Sequence, residues 1–97
     1  MLDIPTDCKF RVDADNIKRA LDILRCNGYR WISGRKLELR GDFQYTTIGL
    51  YLTHGRIMRC TDEEGYQSVR ARNEMSISQL FASVKTADVS EDVLSLF

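Results

Sequence analysis

An α+β domain is the expectation for this chain, with one small antiparallel sheet in the order β-α-β-β-β, helices on one face and a short C-terminal helix. Three observations carry it. Ile17, Ala20, Leu21 and Leu24 recur at i, i+3, i+4 and i+7, the apolar stripe of a helix lying on a sheet. Asn27-Gly28 then stops that helix, because glycine enters the left-handed conformation after the C-cap without a Cβ penalty. Beyond this point the pattern alternates residue by residue, and two strand-like runs flank His54-Gly55, which reads as a tight β-hairpin.

Taken in order, Phe10 and Val12 alternate with Lys9 and Arg11 in a first, half-buried strand. Asp13 is the expected N-cap of the helix, with Asp15 adding negative charge to its first turn. Lys18, Arg19, Asp22 and Arg25 fall off the apolar stripe and are expected in solvent. After the helix stop, Tyr29 and Trp31 occupy alternate positions and therefore one face of an extended segment. Ser33-Gly34 breaks that segment, Leu37 and Leu39 resume the alternation, and Gly41-Asp42 marks another turn.

In the hairpin, Thr53 is expected opposite Arg56, Leu52 opposite Ile57, Tyr51 opposite Met58, Leu50 opposite Arg59 and Gly49 opposite Cys60. Paired residues share a face. Ile48, Leu50, Leu52 and Ile57 would cover the helix, whereas Tyr51, Met58 and Cys60, beside Thr53 and Arg56, form a second face too apolar to stand in water alone. Asp62-Glu63-Glu64-Gly65 reads as an acidic turn and Tyr66 to Ala71 as a last, irregular strand. Ser76 and Gln79 match a capping box opening a short helix through Leu80 and Phe81. Asp88 and Glu91 repeat that spacing before an apolar end at Val93, Leu94, Leu96 and Phe97, expected to dock on the chain's own core or on a neighbour. Residues 1–97 are thus read as a single domain, with a core at 8–82 and a helical tail at 85–97.

The 43% apolar and 29% charged content belongs to an ordinary globular domain. No apolar run is long enough to span a membrane, and the first residues lack the basic and apolar regions of a signal peptide, so a cytoplasmic location is expected. Cys8, Cys26 and Cys60 are odd in number and widely spaced, and fit reduced, buried thiols better than a disulfide framework. One histidine and no Cys-x-x-Cys pair make a metal site a poor reading, and no cofactor is implied. Nucleophile elbows and phosphate-binding glycine loops are absent, which disfavours catalysis.

The zero net charge conceals a gradient. Residues 30–59 carry six bases against Glu38 and Asp42, whereas residues 60–97 carry three bases against seven acids. Tyr29, Trp31, Phe43, Tyr45 and Tyr51 fall in or beside the basic stretch. The candidate binding residues are therefore Tyr29, Arg30, Trp31, Arg35, Lys36, Arg40, Tyr51, Arg56, Met58 and Arg59. Arginines beside aromatics can grip phosphates or carboxylates and stack on bases. They can equally be ordinary surface residues around a core tryptophan.

Gly-Tyr-Arg-Trp-Ile-Ser-Gly at 28–34 and Asn-Glu-Met-Ser-Ile-Ser-Gln-Leu at 73–80, with the opening Lys-Phe-Arg-Val strand, resemble a group of small bacteriophage accessory proteins. Those proteins have a Gly-Tyr-x-Trp-x-x-Gly segment before the sheet and a Glu-Ile-Ser/Thr-x-x-Glu/Gln-Leu segment closing it. Met75 stands here where isoleucine is usual, and nothing from Lys85 onward has a counterpart. The resemblance implies a non-enzymatic protein that acts in the host cytoplasm by binding and inhibiting or redirecting a host defence or metabolic protein, with a homodimer as one arrangement. The residues themselves leave two alternatives: a nucleotide or nucleic-acid binder using the basic-aromatic middle, and a structural homo-oligomer subunit.

Overall fold

Alternating apolar residues build the sheet in the computed structural model of the chain, which describes residues 4–87 and, of their side chains, those of 4–83. The strands are β1 (Asp7–Arg11), β2 (Arg30–Trp31), β3 (Gly49–Thr53), β4 (Arg56–Cys60) and β5 (Asn73–Met75). The helices among the described residues are α1 (Ile17–Cys26), α2 (Phe43–Thr46), α3 (Glu63–Ser68) and α4 (Ile77–Ala87). One five-stranded sheet results, in the order β2-β4-β3-β1-β5. The fold is α+β, as the sequence predicts. The second capping motif at Asp88 and the apolar end at Val93–Phe97 lie outside the described residues.

The sheet is mixed rather than antiparallel. β1–β3 and β3–β4 are antiparallel, but β1–β5 and β2–β4 are parallel. The cause is chain direction: α1 carries the chain back, so β2 runs the same way as β1, and the hairpin turns β4 into that direction too. The β3–β4 hairpin sits between β1 and β2 and splits a β-α-β unit. Its register is the expected one, Thr53 with Arg56 through Gly49 with Cys60. His54 and Gly55 both take positive φ, 47° and 81°, the twist a two-residue hairpin turn requires.

Cys8, Phe10, Leu50, Leu52 and Ile57 share one face and are fully buried with Ile17, Ala20, Leu24 and Leu80. The stripe of α1 and the first turn of α4 therefore close the core on that face. Gly28 (φ 88°) ends α1 with a double hydrogen bond, Tyr29 N to Leu24 O and Gly28 N to Arg25 O, the Schellman pattern. Ser76 and Gln79 make the reciprocal capping box, at 2.8 and 3.3 Å.

Several expectations change. The helix begins at Ile17 behind Asn16; Asp13 holds the preceding turn, its Oδ1 accepting from Asp15 N and Asn16 N. Residues 35–40 form a loop rather than a strand, with Leu37 buried on α1. The acidic Asp62–Gly65 stretch is the start of α3, because Asp62 Oδ1 accepts from Gly65 N and Glu63 and Glu64 suit the first turn. Tyr66 lies in that helix, and the last strand comes later, at β5.

Helices also occupy both faces, not one. Gly49 leaves room for the Tyr66 ring, which approaches where a Cβ would stand, at 2.3 Å. Lys9, buried on that face, donates to Tyr66 O and Val69 O at 2.9 and 3.1 Å. The ammonium thereby closes the C-terminal carbonyls of α3, where a cation is favoured.

Candidate functional site

A concavity with unspent chemistry lies at the β2 end of the core face. Trp31 and Ile57 are cross-strand partners, so the indole continues the apolar surface past the point where α1 covers it. Arg59 pairs with Leu50 and falls on the same face, where an arginine marks the end of the core. Its guanidinium stacks on Phe43 of α2, 3.8 Å from the ring centroid, and Nη1 donates to the Thr46 and Thr47 hydroxyls at 2.9 and 3.2 Å. Those hydroxyls donate in turn to Asp42 O and Phe43 O, so α2 is tied to β4 through Arg59.

Phe43 meets Trp31 edge-on, at 6.0 Å and 89°. Between these rings and the loop after β2 lies a cleft of about 250 Å³, lined by Trp31, Ile32, Arg35, Arg40, Ile57 and Arg59 among others. Trp31 Nε1 is buried with no hydrogen-bond partner among the described residues. Leaving such a donor unmade costs about 1–3 kcal/mol. No carboxylate among the described residues forms an ion pair with Arg35, Arg40 or Arg59.

The other predicted residues go elsewhere. Tyr29, Arg30 and Lys36 line a smaller cleft of about 170 Å³ with Arg25 and Gly28. Its bases are largely engaged, since Arg25 pairs with Asp22, Lys36 with Glu38, and Arg30 donates to Gly34 O. The Tyr29 ring packs against the core, and burial pushes its pKa up. Tyr51, Met58 and Arg56 sit on the opposite face of the sheet from Trp31, Tyr51 in register with Met58 and Arg56 with Arg30.

That opposite face is partly occupied by the chain itself. Tyr66 covers Gly49, Arg11 pairs with Glu63 at 2.6 Å, and the Tyr66 hydroxyl donates to Glu74. Tyr51 stays half-buried; the nearby Asp7 carboxylate and then burial raise its pKa, with Thr53 acting the other way. Asp7 Oδ1 is nevertheless buried without a hydrogen bond of full geometry, so the carboxylate acts on Tyr51 by proximity.

The ten candidates thus divide into three groups, and only Trp31, Arg35, Arg40 and Arg59 converge on the larger cleft. Sequence reasoning missed Ile32, Phe43 and Ile57 as its walls. One signal was present: Arg59 in register with Leu50 places a cation where the apolar face must end.

Cys8 and Cys60 are buried, which pushes both thiols up and away from the reactive thiolate, whereas Cys26, expected to be buried, is exposed at the end of α1, off its apolar stripe. No group of three or more His, Cys, Asp or Glu among the described residues is arranged to hold a metal ion. No helix among them is long and apolar enough to cross a membrane. The fold and cleft together define a small α+β domain with an arginine-walled apolar recess. Compared with known proteins, the chain matches no family model, no curated protein and no solved structure.

Proposed function

We propose that this chain is a small non-enzymatic binding protein, phage-encoded, that acts in the host cytoplasm by covering a surface of a host protein. One observation supports this above all: an apolar recess carries Arg35 and Arg40, which have no carboxylate partner among the described residues. Interfaces are built in this way, from a buried aromatic or arginine anchor inside a polar rim. Ile32 and Tyr45, 59% and 75% exposed, add apolar area on the loop and helix that form the recess.

The test is capture from nuclease-treated bacterial lysate by the immobilised chain, washed at low and at high salt. A single host protein held near stoichiometry in high salt is the expected result. Recovery of the chain's own second copy alone would sink the reading in favour of a structural homo-oligomer.

A second reading has its own support. Arg35 and Arg40 have no carboxylate partner among the described residues, so a nucleotide or nucleic acid would find its phosphate sites ready. Such binding falls steeply with salt, and its disappearance in the high-salt wash separates the two.

A further inference from the structure

We propose that the recess under Trp31 takes a short acidic segment of the protein partner. One bulky apolar side chain of that segment sits against Ile32, and its flanking carboxylates pair with Arg35 and Arg40. The inference rests on the protein-binding reading above and specifies both the place and the chemistry of the contact.

Charge selects an anion. Arg35 and Arg40 are exposed and have no carboxylate partner among the described residues, whereas Arg25 and Lys36 of the neighbouring cleft are paired with Asp22 and Glu38. Arginine presents a planar fork that suits carboxylates as well as phosphates. Arg59 contributes field rather than a free fork, because it already stacks on Phe43 and serves Thr46 and Thr47.

Shape selects the rest of the ligand. At about 250 Å³ the recess falls below the roughly 300–1,000 Å³ of sites that enclose a whole small molecule. It suits one side chain and the polar groups beside it. A nucleobase would need an open aromatic platform, but Trp31 and Phe43 stand at 89° and cannot clamp a base between parallel faces. One face of Phe43 already carries Arg59. What remains open is aliphatic, at Ile32, and an aliphatic wall ringed by cations matches an apolar residue among acids.

Trp31 is the only tryptophan in the chain, so its emission reports occupancy directly. Four probes are titrated: a blocked peptide Glu-Asp-Leu-Phe-Asp-Glu, its Gln/Asn counterpart, its counterpart with serines replacing Leu-Phe, and adenosine 5′-monophosphate. The acidic apolar peptide is expected to shift Trp31 emission saturably, with each altered peptide weaker by roughly tenfold or more. Arg35→Glu with Arg40→Glu, and separately Ile32→Asp, are expected to abolish the shift. All three positions are exposed, and unchanged circular dichroism checks that the fold survives.

Equal response to the three peptides, or none to the first, overturns the proposal. If in addition the Arg35→Glu/Arg40→Glu chain still retains a stoichiometric host protein, the contact lies elsewhere and protein binding stands. A shift with the nucleotide alone, and no protein retained in high salt, removes both.

Discussion

Gly49→Ala is the most exposed consequence of the packing, because a strand glycine is ordinarily a weakness. Replacing one by alanine normally gains about 0.5–1 kcal/mol of conformational entropy. Here the added Cβ would stand 2.3 and 2.6 Å from Cδ1 and Cε1 of Tyr66 and 3.3 Å from the Phe10 carbonyl oxygen. The ring cannot step aside cheaply: it is fully buried, its hydroxyl is tied to Glu74, and Lys9 and Arg11 lie over it at 4.4 and 4.3 Å. Overpacking of this kind costs about 1–3 kcal/mol and should outweigh the entropic gain. For a domain of this size each kcal/mol lowers Tm by about 4–8 °C. Urea unfolding followed by circular dichroism measures it, within a double-mutant cycle. Tyr66→Ala alone should lose about 3–5 kcal/mol through the cavity. In that background Gly49→Ala should cost nothing, leaving a coupling of about 1–3 kcal/mol. A neutral Gly49→Ala, or additivity within about 0.5 kcal/mol, would refute the close approach of Tyr66 to β3.

Leu21→Ala should lose about 2–5 kcal/mol in the same assay, since Leu21 is 3% exposed in the cluster beneath α1; a cost near zero would undo the placement of that helix. Gly28→Ala forces a side chain into φ 88° and should cost about 1–2 kcal/mol, read as a shift in urea midpoint. The Arg11 guanidinium, followed by Gln67, lowers the Glu63 pKa to about 2. A carboxylate depressed on folding stabilises above its unfolded value near 4.3 and loses that contribution as pH falls through 2. Glu63→Gln should therefore flatten the acid limb of stability between about pH 4 and 2, an effect reduced by added salt because the pair is exposed.

Local signals were the legible part of the fold. The α1 stripe, its glycine stop, the hairpin register and the Ser76 capping box each depend on residues a few positions apart, and each stands where the spacing puts it. What the sequence hid was direction and partnership over distance. Nothing near Asn73 says that it will lie beside Cys8, and a two-residue strand such as β2 carries too little alternation to declare a parallel partner. Asp62 was ambiguous because the same acids suit a turn and a first helical turn; the Gly49 vacancy, which needs Tyr66 above it, decides for the helix. Of the site, Trp31 and the arginines were visible as composition. Their separation into one recess, one smaller cleft and one opposite face follows from strand register, which the hairpin supplied only for Tyr51, Arg56, Met58 and Arg59.

The parallel pairing of β5 with β1 also sets a timetable for synthesis. Cys8 waits for Asn73, about 65 residues downstream, before its outer edge is filled. At ribosomal rates of about 5–20 residues per second that wait is roughly 3–13 s. Through that interval β1 is a short strand with Cys8 and Phe10 on one side and an unfinished edge, the kind of segment that recruits other chains. Lys9 stands between them, charged and free until α3 exists to accept its ammonium at Tyr66 O and Val69 O. The residue that finishes as a buried clamp thus begins as a solubilising guard on the nascent strand.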